Sequence, residues 1–353
     1  MPSADQRSTI ELRLVTPSMR AAIVDTLCGG VASCPAPVDR AFVGSRTGAA
    51  YLSAVRGGVT RFPGGIVAQR GQGPGEVQGA SDVREDASGA VRVLSATTPR
   101  IDVVSGPGAP ARAQVTAVGW GIAARLSSGG AFALLTGTAG AAGDSTTDTL
   151  IEQRFGANSS DTVLTFRVVS SAPLASSRGP FPPPGLFAGT RMITRTSADD
   201  IIVSDGTSNV IQWHERLADR RVRLTLPLTP RAVAQGEVAE AEAELLAKTP
   251  GGMFAGPWKA DVRRRARDAA RHHALVVRLG FADRGRLLVE VDAAESGGRR
   301  WTLVNKDAGS VQFINGDWSV VGGFDAAGRL LLCEERDLST VCGWSAPITE
   351  VGK

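Results

Sequence analysis

Short runs of alternating apolar and polar residues, each ended by a polar turn, cover most of the chain. The run Thr9-Ile10-Glu11-Leu12-Arg13-Leu14-Val15 has the two-residue period of a strand with one face buried. After a loop over 28–37, β-like pieces follow at 41–44, 49–55, 59–62 and 65–70. A second set lies at 80–84, 90–95, 100–105 and 113–118. Between the two sets stands Gly71-Gln72-Gly73-Pro74-Gly75-Glu76. Its glycines allow positive φ, and Pro74 holds its own φ at roughly −65°. Gly73-Pro74-Gly75-Glu76 therefore predicts a type II turn, a rigid corner that carries the chain from one small sheet to the next.

One pattern recurs. A polar turn ending in Gly and feeding a strand occurs as Asp86-Ala87-Ser88-Gly89-Ala90-Val91-Arg92-Val93-Leu94. It returns at 127–135, 197–203, 283–289 and 325–332, with a looser copy at 46–52. Gly48 and Gly89 are 41 residues apart, Gly89 and Gly130 another 41, and Gly285 and Gly328 43. Four short strands repeating at about 40 residues mark the blades of a β-propeller. Two intervals are longer, 70 residues from Gly130 to Asp200 and 85 from Asp200 to Gly285. The first holds the small-residue stretch 136–147 and a Ser/Pro-rich loop at 170–185. The second reads as helical. Glu, Ala and Leu fill 235–248, with Val238, Ala241 and Leu245 on one stripe, and Pro250-Gly251-Gly252 stops the helix. A basic helix follows over 258–272, with Val262, Ala266, Ala269 and Ala270 inward.

The fold expected is all-β: a six-bladed β-propeller of four-stranded antiparallel blades, one domain over 1–353. A helical hairpin (about 231–273) is inserted between blades 4 and 5. The last blade has three evident strands, 319–323, 329–334 and 340–348. The N-terminal strand (about 9–15) is expected to supply its fourth, closing the ring and removing open sheet edges.

Composition narrows the function classes. A net charge of +4 over 353 residues, 5% aromatic residues and a single Tyr51 argue against nucleic acid. Its binders carry a basic stripe interleaved with aromatics. No apolar run is long enough to span a membrane. The N-terminus lacks the apolar core of a signal peptide, so the chain is expected to be cytoplasmic or a mature form whose leader was removed. A removed leader leaves membrane anchoring open. Cys28 and Cys34 lie close in sequence, and Cys333 and Cys342 flank a predicted hairpin that sets them opposite each other. Two locally paired sets favour disulfides and a periplasmic, secreted or lipid-anchored location. Neither pair has the ligand spacing of a zinc site.

The corner Gly71-Gln72-Gly73-Pro74-Gly75-Glu76 resembles the G-x-GPGEF corner of bacterial six-bladed β-propellers related to the NHL-repeat group, with Val77 in place of Phe. The turn copies resemble that family's blade starts, and Pro230-Arg231-Ala232-Val233 leading into 237–246 resembles its inserted helix. The resemblance spans about 41–348. It implies an exported or lipid-anchored protein and carries over no catalytic residue.

No nucleophile elbow, phosphate loop or paired-histidine metal motif is present, and no catalytic residue is assigned. Glu76 is expected to accept backbone N–H groups of its own turn. His214 lies in a predicted strand, and the adjacent His272 and His273 point to different faces of a helix. Asp82, Asp102, Asp199, Asp200, Asp205 and Asp283 lie on or beside strands and read as residues that cap their own loops. Arg263, Arg264, Arg265, Arg267 and Arg271 read as a solvated helix face. The function expected is a cofactor-free, non-enzymatic module that binds protein, peptide or glycan through one face of the disc. The competing expectation is a lactonase-like hydrolase or lyase that holds a divalent cation such as Ca in the central channel by side chains from separate blades.

Overall fold

The recurrent polar turn joins the first and second strands of successive sheets, and its side-chain oxygens explain the recurrence. Asp86 Oδ1 accepts the N–H groups of Ser88 and Ala90, while Gly89 takes φ 86°. Asp325 Oδ1 does the same for Ala327 and Arg329, with Gly328 at φ 79°. Ser127 Oγ and Thr196 Oγ1 cap the equivalent turns. A short acceptor followed by a residue in the left-handed region reverses the chain in four residues and starts the next strand.

The computed structural model describes residues 7–29, 34–35, 37–54, 57–86, 88–95, 100–105, 110–114, 123–139, 145–169, 185–234, 236–283, 285–336 and 339–348. Three strands come first: β1 (Arg7–Glu11), β2 (Arg13–Arg20) and β3 (Ile23–Cys28). The first sheet contains β4 (Val38–Val43), β5 (Ala50–Ala54), β6 (Val59–Phe62), β7 (Gly65–Arg70) and the two-residue β8 (Glu76–Val77). The second is β9 (Ala80–Glu85), β10 (Val91–Ser95), β11 (Arg100–Ser105) and β12 (Ala111–Gln114). The third is β13 (Ala123–Leu126), β14 (Gly130–Ala139), β15 (Ser145–Arg154) and β16 (Ser160–Val169). The fourth is β17 (Met192–Arg195), β18 (Ile201–Ser204), β19 (Val210–Glu215) and β20 (Arg220–Thr225), with β1 at its edge. The fifth is β21 (Val276–Asp283), β22 (Arg286–Ala293), β23 (Gly298–Asn305) and β24 (Ser310–Asn315), with β2 at its edge. The sixth is β25 (Val320–Phe324), β26 (Arg329–Arg336) and β27 (Ser339–Pro347), completed by β3.

The first strands of the six sheets contact one another in sequence, β4 with β9, then β13, β17, β21 and β25, and β25 again touches β4. The chain is a closed six-bladed β-propeller with these strands around the axis. Apolar residues fill the seams between sheets. Trp213, Ile211 and Leu224 of the fourth sheet pack with Leu287, Val289 and Val304 of the fifth.

The N-terminus is used differently from the expectation. The residues that close the ring belong to β3, antiparallel to β27, and not to 9–15. That run is split at Leu12: β1 adds in parallel to β20, and β2 to β24. Leu12 is buried between the two edges, with Ile10 and Leu14 packed beside it. Alternation identifies a strand, but it does not say which exposed edge the strand covers. The stretch 136–147 also differs in part. Its ends lengthen the β14–β15 hairpin, in which both strands run to ten residues. The loop at 170–184 lies outside the described residues.

Both helices lie between β20 and β21: α1 (Glu237–Ala247), then a 3-10 turn at Gly252–Phe254 and α2 (Ala255–Arg267). No residue of α1 is buried and only Val262 of α2 is, so the hairpin rides on the outside of the ring. The basic helix stops at Arg267 rather than 272. Residues 271–273 instead pair with 231–233, Val233 N–H donating to Arg271 O and His273 N–H to Arg231 O.

Candidate functional site in the axial tunnel

The inner strands leave a cavity of about 490 Å³ on the axis. Its lining is strongly charged. β4 contributes Asp39 and Arg40, β9 Asp82, β13 Arg125, β17 Arg195 and β21 Arg278. Phe42, Phe281, Val320 and Val321 supply an apolar wall. The guanidinium groups lie at graded depth. Arg40 and Arg278 are exposed, Arg125 is half-buried, and Arg195 is buried. Short strands with alternating side chains produce this: Leu126 turns into the seam while its neighbour Arg125 turns to the axis.

Carboxylates do not balance these charges. Asp82 Oδ2 lies 3.3 Å from Arg195 Nη2 but also accepts the Leu126 N–H at 2.8 Å, and its Oδ1 accepts the Val83 N–H. Arg125 donates to the carbonyl of Ala124, and Arg40 to that of Ala80 at 3.4 Å. Neither meets a carboxylate within bonding distance among the described residues. Burial works against the Arg125 charge, as do Arg40 and Arg195, while Asp82 supports it; its pKa is lowered. Arg195 Nε is buried without an acceptor. Asp39 is pushed up by burial, opposed by Arg40.

Beyond the C-terminal ends of the inner strands a polar belt ties the sheets together. Arg84 of the second sheet reaches Asp199 of the fourth at 2.6 Å, and Ser128 N–H of the third donates to the same carboxylate. Ser197 Oγ donates to Asp283 of the fifth sheet. Glu85 receives the N–H groups of Arg46 and Thr47, the Thr47 hydroxyl and the Tyr51 hydroxyl from the first sheet. Burial alone would raise Glu85, but these donors hold it below the usual carboxylate range.

The corner at Gly71–Glu76 lies far from the axis, joined to β7, the fourth strand outward in the first sheet. Gly75 takes φ 77°, Glu76 N–H donates to Gly73 O, and Glu76 Oε2 accepts Gly73 N–H at 2.7 Å. A Cβ on Gly71 would stand 2.0 Å from that oxygen. Arg100 and Arg112 of the second sheet donate to the corner's carbonyls, and Asp102 pairs with both guanidinium groups. Pro74 completes this corner. Cys28 and Cys34 form one disulfide, Cys333 and Cys342 the other. Cys342 pairs across strands with both Cys333 and Cys28, and the sulfurs of Cys28, Cys34 and Cys342 lie within 4.8 Å of one another.

The remaining candidates disperse. His214 is buried on β19, its pKa lowered first by burial. His272 sits in the leg of the hairpin, and buried His273 stands between Glu237 and Asp292. Asp205 caps Thr207 and Ser208 in its own loop, and Asp200 accepts from Trp213 Nε1 and Arg216 N–H. Arg264 is held by Asp261 and Asp268 on its own helix. Among the described residues, the one group of three ligand atoms close enough for a metal is that of the disulfide sulfurs. The tunnel arginines were missed in the sequence. Their signal was a charge in the first strand of one copy after another, at Arg40, Asp82, Arg125, Arg195 and Arg278.

No protein-family model matches the chain, and no curated protein does. Among solved structures, it is similar to a Bacteroides fragilis protein assigned as exported. That match covers 98% of this chain and 100% of the other, at 9% identity and a TM-score of 0.50, a likeness of fold alone. Streptogramin B lyase matches at 9% identity and a TM-score of 0.36, over 88% of this chain and 95% of that one. The propeller domain of Cps50 (Swd1) from Myceliophteria thermophila matches at 10% and 0.37, over 95% and 100%.

Proposed function

We propose that the protein is a non-enzymatic binding propeller of the bacterial envelope, whose ligand or partner enters the axial cavity from the mouth marked by Arg40 and Arg278. The observation that carries this reading is a sizeable cavity on the axis lined by guanidinium groups and aromatic rings. Arg and aromatic side chains are enriched where proteins recognise ligands and partners. Two disulfides and the fold shared with a protein assigned as exported support an extracytoplasmic address. Kinship with NHL-related propellers, resting on the Gly71–Glu76 corner, is part of the same proposal, as is a partner of protein or peptide nature.

A metal-dependent hydrolase or lyase on the axis finds less support. Such a site needs several carboxylates or imidazoles converging on one point. Here Asp39 and Asp82 share the lining with four arginines, whose charge opposes a dication. The test is affinity capture from envelope extract. Immobilised protein should retain a specific partner or ligand that the folded Arg195→Gln variant releases. Identical capture by the variant, or none by either, overturns the axial reading.

A further inference from the structure

We propose that the tunnel holds an oxyanion subsite formed by Arg125 with Arg40 and Arg195, which takes the carboxylate or phosphate group of a ligand whose apolar body lies against Phe42 and Phe281. The inference rests on the axial cavity being the ligand site, and it adds which chemistry that site selects. Three observations carry it. First, Arg40, Arg125 and Arg195 share the lining with only two carboxylates, Asp39 and Asp82, and the oxygens of Asp82 are already engaged by Arg195 and by two backbone N–H groups. Second, Arg125 spends one donor on the carbonyl beside it, and Arg195 keeps a buried Nε without an acceptor although it is 8% exposed. A guanidinium carries five donors in a planar fork that matches a carboxylate or phosphate edge. The buried Arg195 Nε is costly to leave unmet, and an anion beside it and the solvent-facing donors of Arg125 would meet it.

Third, the charges are graded. Arg40 is exposed at the mouth, Arg125 half-buried and Arg195 buried, so the potential deepens along the path of entry. In the same cavity Phe42, Phe281, Val320 and Val321 present no donor or acceptor side chain. A bare inorganic ion would leave that wall in contact with water, whereas an anion carrying an apolar body would cover it. At about 490 Å³ the cavity has room for both parts.

The test is calorimetric titration of the full chain, disulfides intact, at low salt. The probes are 3-phenylpropionate, phenyl phosphate and the neutral 3-phenylpropanamide. The acid is expected to bind at least about tenfold more tightly than its amide, the difference one charge-assisted bond supplies. Whichever of the two anions binds more tightly identifies the natural group as carboxylate or phosphate. The folded Arg125→Gln variant is expected to lose binding of the preferred anion by roughly tenfold to a hundredfold. If that variant does not fold, the acid-against-amide comparison on the native chain decides alone. Equal binding of acid and amide overturns the oxyanion subsite and leaves the axial cavity as a ligand site. No binding of either anion at millimolar concentration, or full binding by folded Arg125→Gln, also overturns it. Capture of a partner through Arg195 is a separate readout, so failure there is distinguishable from failure here.

Discussion

Asp199 shows how one residue can accept local strain for a distant contact. It sits at φ 65°, in the turn position that Gly89, Gly285 and Gly328 fill elsewhere. A left-handed residue other than glycine costs about 1 kcal/mol, least for Asp and Asn. The carboxylate is needed there because it meets buried Arg84 and the Ser128 N–H. Asp199→Gly removes the strain but strands a buried guanidinium, so a net loss of about 2–4 kcal/mol is expected in urea unfolding. Asp199→Asn should lose less, since it keeps the turn and can accept from Ser128. A glycine variant as stable as the parent would show that the belt contributes nothing. Glu85→Ala, which leaves four donors without their acceptor, should cost about 3–5 kcal/mol by the same measurement. Asp148 gives a pH test. It is fully buried, and burial pushes its carboxyl up to about 6 against the pull of Arg191. A folded-state pKa above the unfolded one means that the native chain holds the proton longer, so stability falls as pH rises from about 4 to about 6. Asp148→Asn should flatten that slope and raise the unfolding midpoint at pH 7. The pKa difference sets a ceiling of about 3 kcal/mol, which solvent screening can only reduce. An unchanged slope would locate the titration elsewhere.

At the scale of elements, what the sequence discloses is what the backbone itself demands. Gly75, and Gly48, Gly89, Gly285 and Gly328 of the turn copies, are visible because positive φ leaves glycine behind. The Cys333–Cys342 pairing is visible because register across a hairpin is local. The charged tunnel is not visible, since nothing in the residues around Arg125 or Arg195 says that their strand is the one facing the axis. That follows only from the closed circle of contacts among β4, β9, β13, β17, β21 and β25. The corner illustrates the same limit. Its turn can be read from Gly73, Pro74 and Gly75, but not that Arg100 and Arg112 hold its carbonyls, or that Asp102, fully buried, pairs with both. Asp102→Asn should therefore loosen the first and second sheets together, at a cost of about 3–5 kcal/mol. Hydrogen exchange at the amides of β8 and β12 should accelerate together. Acceleration confined to the second sheet would mean that the corner stands without its arginines.

For the whole molecule, the N-terminal segment poses the sharpest question, because its three strands do different work. β1 and β2 cover the outer edges of the fourth and fifth sheets, which shields unpaired backbone without joining the two ends of the ring. β3 alone brings the start of the chain to β27 near its end, pairing Cys28 with Cys342 and Asp25 with Trp344. Closure in a propeller couples every blade to both neighbours, so its loss should reduce cooperativity as well as stability. Three truncations separate the two roles. Removing residues 1–12, or 1–22, is expected to lower the urea midpoint while leaving the m-value close to that of the full chain. Removing 1–29, with Cys34→Ser to leave no odd thiol, should lower the midpoint further and also depress the m-value, as sheets unfold in separate steps. If that third truncation unfolds with the midpoint and slope of the second, the β3–β27 pairing does not hold the ring shut. The seams between neighbouring sheets would then carry that task unaided.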